Sequence, residues 1–367
     1  MNAAVAPSGL HGAERARLEL LRHPDEFDAA VRALLAAAEQ RCPQFGEGWY
    51  RVLLATVLRD PRQVLFAVLR RGDEVRAVLP LLHEGGARWS ALGNYYTYLY
   101  APALAADCGT GELAALFAAL RRRVPMARIG LAPLDREAPG YARLGEALRC
   151  AGLRPYPFLC FGNWYEPVAG RWSEYLAARS ANFRSALRRN LKRFESAGGR
   201  ITLHRDPASA EPALQAYMAV YARSWKKPEP YPDFIPALVR HSAARGLLRM
   251  GVAWVGEQPV AAQIWLVQGR KADIYKLAYD EAYKDIAPGV ALTARLFEQA
   301  IDEDGVTEVD YLIGDDDYKK RWMQQRRERW GWMAYNPRHP AGLLGWLKEA
   351  LWRRLKPLWA ARAEAGS

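Results

Sequence analysis

The stretch from Lys271 to Arg321 constrains the fold most, because two hydrophobic periodicities follow each other within it. Residues Lys271–Asp280 alternate with period two, which predicts a covered strand on which Lys276 is out of place. From Gly289 to Ile301 the apolar residues recur at helical spacing, and Val306–Gly314 again has the pattern of a strand. The order strand, helix, strand predicts a right-handed crossover between two parallel strands.

The first turn of this helix has the composition of an anion site. Pro288 is tolerated there because the backbone N–H that it lacks would have no helical partner. Gly289 lets a bulky ligand come close to the backbone. The unpaired N–H groups and the positive end of the helix dipole attract anions, so the sequence predicts a phosphate site at this turn.

Composition limits the remaining possibilities. A chain of 367 residues, half of them hydrophobic, has room for two substantial cores. The four cysteines show no zinc spacing and no disulfide density, so we expect no metal site and a reduced, cytoplasmic chain. Met1–Leu21 has no apolar signal-peptide core, so we expect no export signal, and we also expect no membrane-spanning helix.

The net charge of +12 is concentrated in local patches, notably Arg179–Arg200 and Lys319–Arg329. Solvated arginine-rich helix faces and sites for anionic partners explain such patches equally well. Nucleic-acid binding is the minority interpretation, because no zinc finger, RRM signature or recognition-helix pattern accompanies the charge. A tRNA donor would still fit it.

Several of these segments resemble one known family. Ala287-Pro288-Gly289 before a helix, followed by Asp310-Tyr-Leu-Ile-Gly-Asp-Asp-Asp-Tyr-Lys-Lys-Arg-Trp322, is similar to the C-terminal half of the Fem-like branch of the GNAT acyltransferase superfamily. Within that branch the chain most resembles the CelD-like acetyltransferases, which are linked to cellulose and other exopolysaccharides. Ser224-Trp225-Lys226 and the basic segment Ser180–Asn190 extend the resemblance to about residues 165–325.

The resemblance implies an α/β fold of tandem GNAT-like lobes, each a mixed central sheet flanked by helices, with a degenerate N-terminal lobe. It places the degenerate lobe in residues 1–160 and the lobe that binds the acyl donor in residues 161–340. Residues 341–367 are predicted to form a basic amphipathic helix.

The resemblance also implies acetyl-CoA or another acyl-CoA as co-substrate. GNAT proteins hold its pyrophosphate with Gln/Arg-x-x-Gly-x-Gly/Ala, and the best fit is Lys284-Asp-Ile-Ala287-Pro-Gly289. Lysine and alanine replace the first two conserved residues, so aminoacyl-tRNA, the donor of some Fem-like relatives, stays an alternative. The implied donor-binding residues are Lys284, Ala287, Pro288, Gly289, Val290 and Ala291.

Acyl transfer from a thioester needs a deprotonated nucleophile, stabilisation of an oxyanion and protonation of the thiolate. We expect Asp310 to be a buried base of raised pKa or an orienting group. The resemblance implies that Lys319 contacts the donor phosphate or the reacting group. Tyr318, like Tyr311, is a candidate to protonate the thiolate, and Asp280 is a further candidate carboxylate. The implied substrate-binding residues are Trp225, Lys226, Lys276 and, in the loop Leu92–Tyr100, Tyr95.

The segment Leu343–Trp359 has the pattern of an interfacial helix. Leu344, Leu347, Leu351, Leu355 and Leu358 share one face, with Trp352 and Trp359 beside it and Arg353 and Lys356 opposite. Pro357 is expected to end or kink this helix. Contact with the inner membrane is one interpretation, and packing of the leucines on the C-terminal lobe is the other.

Together these features predict an N- or O-acetyltransferase acting on a small-molecule or glycan acceptor. The alternatives are a Fem-like aminoacyl transferase and a non-catalytic GNAT-like subunit of a polysaccharide-synthesis complex.

Overall fold

A computed structural model describes residues 16–364, and the side chains of residues 356–364 are not described. The expectation about Met1–Leu21 therefore lies largely outside the described residues. The strands are β1 Arg17–Leu21, β2 Val64–Arg71, β3 Glu74–His83, β4 Arg88–Ala91, β5 Ala103–Leu104, β6 Arg128–Asp135, β7 Arg154–Pro167, β8 Gly199–His204, β9 Leu248–Val255, β10 Gln258–Gln268, β11 Lys271–Tyr279, β12 Glu308–Asp310 and β13 Gln325–Tyr335. The helices are α1 Ala29–Glu39, α2 Glu47–Thr56, α3 Thr110–Arg123, α4 Pro139–Cys150, α5 Trp172–Ala177, α6 Ala181–Ser196, α7 Pro207–Ala222, α8 Phe234–Ala244, α9 Pro288–Glu298, α10 Lys319–Trp322 and α11 Pro340–Glu364.

The described strands form one continuous sheet made of two similar halves. Its order is β1-β2-β3-β4-β6-β13-β7-β12-β11-β10-β9-β8, and β5 pairs with β3. Each half is an antiparallel meander that ends in one parallel pair, β4 with β6 and β11 with β12. A helix connects the strands of each parallel pair, α3 in the first half and α9 in the second, so the same unit occurs twice.

The two halves exchange their last strands. Strand β7 follows β6 in the chain but pairs with β12 of the second half, whereas β13 follows β12 but pairs with β6 of the first half. These two strands also pair with each other along their length, from Arg154–Tyr335 to Tyr165–Gln325. The predicted boundary at residue 160 falls within β7, so neither predicted segment contains a complete sheet.

Hydrophobic clusters cover both faces of the sheet. On one face α1, α2, α7 and α8 share a cluster that spans both halves, where the rings of Trp49 and Phe234 lie 5.5 Å apart. On the other face α3 and α4 cover the first half, and α5, α6 and α9 cover the second. The shared cluster fixes the two lobes against each other, because it buries aromatic residues from both.

The structure confirms the predicted crossover, with β11 parallel to β12 and α9 between them. The second strand is shorter than predicted, because only Glu308–Asp310 pairs and Leu312 already adopts a positive φ of 58°. The α-helix ends at Glu298, and the chain continues as a π-helical turn from Gln299 to Glu303. Strands β2 and β3 form a hairpin around the polar turn at Gly72.

Helix α11 packs on the protein through the side that carries Trp346 and Arg353. The indole N–H of Trp346 donates to the hydroxyl of Tyr156 (2.9 Å), and Arg353 donates to the carbonyl oxygen of Pro157 (2.8 Å). The helix passes through Pro357, where the sequence had predicted an end or a kink, and continues to Glu364. The side chains of Lys356, Leu358 and Trp359 lie outside the described part.

The leucine side of α11 faces solvent. Among the exposed large hydrophobic side chains are Leu343, Leu344, Leu347, Leu351, Trp352 and Leu355. The interpretation in which these leucines pack on the C-terminal lobe is therefore wrong, because the opposite side of the helix makes the contacts. No described helix is both long and apolar enough to cross a membrane.

Candidate active site

Two cavities open where β11 and β12 separate. The strands pair only between Lys271–Asp273 and Glu308–Asp310. Beyond Asp310 the chain turns away from β11, since the N–H of Tyr311 donates to the carbonyl oxygen of Trp164 (2.9 Å) on β7. The gap between the diverging strands is bounded by the second half of β11 on one side and by residues 311–322 on the other.

The first of these, the helix cavity, leads to the start of α9 and has a volume of about 350 Å³. It contains both apolar and cationic side chains, which suits a ligand with an apolar arm and an anionic head. Its lining residues are Trp225, Gln263, Leu277, Ala278, Tyr279, Lys284, Ala287, Pro288, Gly289, Val290, Thr293, Tyr311, Tyr318, Arg321 and Trp322.

The turn at the base of the helix cavity has the geometry of an anion site. Ala287 adopts a left-handed conformation (φ 55°), and Pro288 occupies the first helical position. A Cβ atom added to Gly289 would lie 3.5 Å from Tyr279, at ordinary contact distance. The protein itself therefore leaves room for a side chain at 289, and the space stays open for a ligand against the positive end of the helix.

The second, the lysine cavity, has a volume of about 330 Å³ and lies on the other side of residues 311–318. Tyrosines from the N-terminal lobe form part of its wall, so this cavity lies between the lobes. Its lining residues are Tyr95, Tyr96, Tyr98, Lys226, Ile274, Tyr275, Lys276, Leu277, Tyr311, Leu312, Ile313, Asp316, Tyr318 and Lys319.

The two cavities share a wall formed by Leu277, Tyr311 and Tyr318. Burial raises the pKa of both phenols, that of Tyr311 well above its usual range. Each phenol therefore stays protonated at neutral pH and can donate a proton to a group at the junction of the cavities.

Three lysines point into the lysine cavity, and two of them have carboxylate partners. Lys276 pairs with the buried Glu229 (2.8 Å), which also accepts from the hydroxyl of Tyr96 (2.8 Å). Lys319 pairs with Asp316 (3.1 Å) and donates to backbone carbonyl oxygens of the preceding loop. Burial lowers the pKa of Lys319, as it does that of Lys226, which falls to about 8.

The loop Leu92–Tyr100 contributes the N-terminal lobe's part of the wall. Tyr96 stacks on Phe234 with 3.9 Å between ring centroids, which fixes the loop against the C-terminal lobe. Tyr95 is 63% exposed and has Lys276 5.0 Å from its ring centroid. A rigid loop with an exposed aromatic ring at its tip is suited to contact with an acceptor.

Asp310 lies beneath the cavities and lines neither of them. Its carboxylate accepts from the N–H of Leu312 (2.7 Å) and pairs with Lys271 (2.8 Å) and Arg327. Burial alone would raise the pKa of Asp310, but the positive charges of Lys271, Arg327 and Arg329 outweigh it and hold the pKa below its usual range. The expectation of a raised pKa was therefore wrong, because the sequence alone did not reveal these cations.

Behind the lysine cavity, Asp273 is a buried carboxylate whose pKa is raised, mainly because of burial. It pairs with Lys271 (2.8 Å) and accepts a hydrogen bond from the hydroxyl of Tyr98, which lines the lysine cavity. This contact joins the two lobes directly behind the cavity wall.

The other predicted residues fall in different places. Asp280 pairs with Arg223 (2.6 Å) and accepts from the N–H of Ala282 (3.0 Å), away from both cavities. Trp225 lines the helix cavity rather than the lysine cavity, with its ring 4.6 Å from that of Tyr279. Ala291 is buried behind the first turn of α9 and does not line the helix cavity.

Sequence reasoning missed Tyr98, Glu229 and Asp273. Asp273 carried a usable signal, since it is an acidic residue within a strand predicted to be covered. Glu229 lies between two prolines, in a segment without periodicity, so nothing marked it as a partner for Lys276. Among the side chains that the structure describes, no cluster of three or more histidine, cysteine or acidic residues is arranged to hold a metal ion.

Residues 181–320 match the family model for an acetyltransferase (GNAT) domain. No curated protein matches the sequence. The matched segment contains the start of α9 and, except for Arg321 and Trp322, every C-terminal-lobe residue that lines the two cavities.

Two solved structures have a similar fold. FemX superposes with a TM-score of 0.57 at 12% identity, over 79% of this chain and 91% of that one. A tandem GNAT protein from the clavulanic acid biosynthesis pathway gives a TM-score of 0.51 at 14% identity, over 88% and 99% of the two chains. At such identities the likeness concerns the fold alone, and the fold is a tandem of GNAT-like lobes.

Proposed function

We propose that the protein transfers an acyl group, in the first instance acetyl, from a coenzyme A thioester to an amine or hydroxyl of an acceptor. The observation that carries this proposal is the shared wall of Leu277, Tyr311 and Tyr318, where the two cavities meet. A donor in one cavity and an acceptor in the other would place their reacting atoms together at that wall.

The helix cavity is suited to the donor. The pyrophosphate of coenzyme A would lie at the first turn of α9, beside Gly289 and the basic side chains of Lys284 and Arg321. The apolar surface towards Leu277 and Tyr311 would then hold the pantetheine arm and bring the thioester to the shared wall.

The chemistry needs one proton acceptor and one proton donor. The acceptor's nitrogen or oxygen attacks the thioester carbonyl carbon, a C–N or C–O bond forms, and the C–S bond breaks. Asp316, the carboxylate that lines the lysine cavity, takes the proton of the nucleophile. Tyr318 or Tyr311 donates a proton to the departing thiolate.

Asp310 and Lys319 act in this scheme by positioning the loop between them. Asp310 accepts from the N–H of Leu312, at the positive-φ turn, while Lys319 holds Asp316 and the carbonyl oxygen of Gly314 (3.4 Å). That loop carries Tyr311 and Tyr318 of the shared wall and Asp316 of the lysine cavity, so a change in its backbone conformation would misplace all three groups.

Calorimetric titration with acetyl-CoA tests the donor site. Gly289→Asp adds a negative charge in space that the protein leaves free, so affinity should fall by about tenfold or more, equivalent to about 1.4 kcal/mol. Gly140→Asp is the matched control, because Ala138-Pro139-Gly140 starts α4 in the other lobe and has free space beside it. Equal binding of acetyl-CoA by both variants would remove the proposed donor site.

The alternative donor is aminoacyl-tRNA, and helix α6 supplies the observation in its favour. This helix packs against α9 and exposes Arg188, Arg189, Lys192 and Arg193 to solvent. Parallel titration with acetyl-CoA and aminoacyl-tRNA distinguishes the two donors. Acetyl-CoA binding without transfer to any acceptor would instead favour a non-catalytic subunit. Because the chain resembles CelD-like proteins, we also propose that the acceptor is a precursor of exopolysaccharide or of the cell envelope.

We also propose that α11 contacts the surface of a membrane. Its exposed face contains Leu344, Leu347, Leu351 and Trp352, while its other face is held by Trp346 and its neighbours. An apolar helix face beside basic residues binds anionic lipid surfaces, because apolar burial and electrostatic attraction act together.

A further inference from the structure

The lysine cavity contains one cation without a carboxylate partner. Lys276 pairs with Glu229 and Lys319 with Asp316, whereas none of the carboxylates whose side chains are described (residues 16–355) forms an ion pair with Lys226. Its ammonium lies over the ring of Trp225, with 5.6 Å between the Nζ atom and the ring centroid. Lys226 is partly buried at the cavity wall, so water compensates its charge incompletely.

The surroundings of Lys226 make an ammonium costly there. Burial lowers its pKa to about 8, with further lowering by Lys276 and Lys319, and Glu229 and Asp316 oppose the shift only in part. A negative charge inside the cavity would reverse this effect, because an opposite charge nearby favours the protonated form. The tyrosines that face the cavity have no charge at neutral pH to do so.

We propose that the acceptor carries an anionic group, a phosphate or a carboxylate, which binds the ammonium of Lys226 within the lysine cavity. This inference rests on the proposed function, since it names the chemical class of the acceptor for the same site. A cavity of about 330 Å³ accommodates a group of monosaccharide size together with its anion. With the anion at Lys226, the acceptor's nucleophile lies towards Tyr318 and the shared wall.

An anion-binding lysine is distinguishable from a lysine that removes the nucleophile's proton. The base must lose its proton in each turnover, whereas the anion site must keep it. Arginine keeps its charge at every accessible pH, so Lys226→Arg preserves an anion site and abolishes a base.

Competitive chemical labelling of lysines in the full-length protein, read by mass spectrometry, tests the inference. The probes are glucosamine 6-phosphate, glucuronate, inorganic phosphate and acetate. Glucosamine and glucose, which carry no anionic group, are the controls at matched ionic strength. At least one anionic probe should slow acylation of Lys226 by about fivefold or more and raise its pKa by about one unit. Labelling of the exposed neighbour Lys227 should not change.

Binding to variants completes the test. Lys226→Met should lower the affinity for the probe that protects Lys226 by about tenfold, while Lys226→Arg and Lys227→Met should keep the wild-type affinity. If no anionic probe protects Lys226, or if glucosamine protects it as well as glucosamine 6-phosphate does, the inference is overturned. Titration of the same samples with acetyl-CoA distinguishes failure of the proposed function from failure of this inference. A protein that does not bind acetyl-CoA would contradict the proposed function, whereas protection of Lys226 tests the anion site independently.

Discussion

Replacing Lys226 by methionine should make the fold more stable at neutral pH. The pKa of this lysine falls from 10.5 to about 8 in the folded chain. A shift of 2.5 units corresponds to about 3 kcal/mol at 1.36 kcal/mol per unit, and partial access to water reduces the expected gain to about 1–3 kcal/mol. Methionine has a similar length and no charge, so it removes the penalty of burying the ammonium.

The gain should depend on pH with a defined sign. The folded pKa is lower than the unfolded one, so below pH 8 both states are protonated and the folded state bears the full penalty. Between pH 8 and about pH 10.5 the folded chain loses the proton first, so the wild-type protein becomes more stable relative to the variant. The advantage of Lys226→Met should therefore be largest at pH 7 and nearly absent above pH 10.5.

Urea unfolding followed by tryptophan fluorescence at pH 7 and pH 10 measures this difference. Lys227→Met is the matched control, because Lys227 is exposed beside Lys226 and should change stability by less than about 0.5 kcal/mol. A variant that is no more stable than wild type at pH 7, or a gain of equal size at both pH values, would refute the electrostatic reasoning.

Three further changes have defined outcomes. Asp310→Asn should lower the free energy of unfolding by about 1–3 kcal/mol, because Lys271 and Arg327 lose one carboxylate partner and keep Asp273 and Glu308. Lys319→Ala should lower kcat by about 10²-fold with an identified acceptor, and retain acetyl-CoA affinity in calorimetry, because Asp316 loses its partner. Leu347→Glu combined with Leu351→Glu should reduce sedimentation with anionic liposomes by about tenfold or more.

Each of these outcomes has a contrary result. Full stability of Asp310→Asn would show that the buried ion pairs contribute little, and unchanged turnover in Lys319→Ala would remove its positioning role. Met218→Glu is the control for the liposome assay, because Met218 is an exposed apolar residue on α7, far from α11 in the chain. Equal partitioning of the α11 variant and this control would remove the membrane proposal.

The crossover from β11 to β12 was predictable because its signals are local. Alternation along Lys271–Asp280, helical spacing after Gly289 and the proline-glycine turn are each read from neighbouring residues. The same is true of the hairpin β2–β3, whose two strands are adjacent in the chain.

Contacts between distant segments were not predictable from one sequence. Tyr98 and Asp273 are 175 residues apart, and nothing in either local pattern selects the other as a partner. The pKa of Asp310 was not predictable for the same reason, because its shift depends on Lys271 and Arg327, and strand pairing in the sheet brings these cations beside Asp310. Lys276 was noticed as out of place on its strand, but its partner Glu229 was not.

The exchange of β7 and β13 has a consequence for synthesis on the ribosome. The N-terminal lobe is made first, yet the edge of β6 stays uncovered until residues 325–335 have left the exit tunnel. An open strand edge is a template for pairing with other chains, so the nascent protein carries an aggregation-prone edge through most of its translation. Slow translation or chaperone binding between residues 135 and 325 should therefore affect the yield of native protein more than the same event after residue 335.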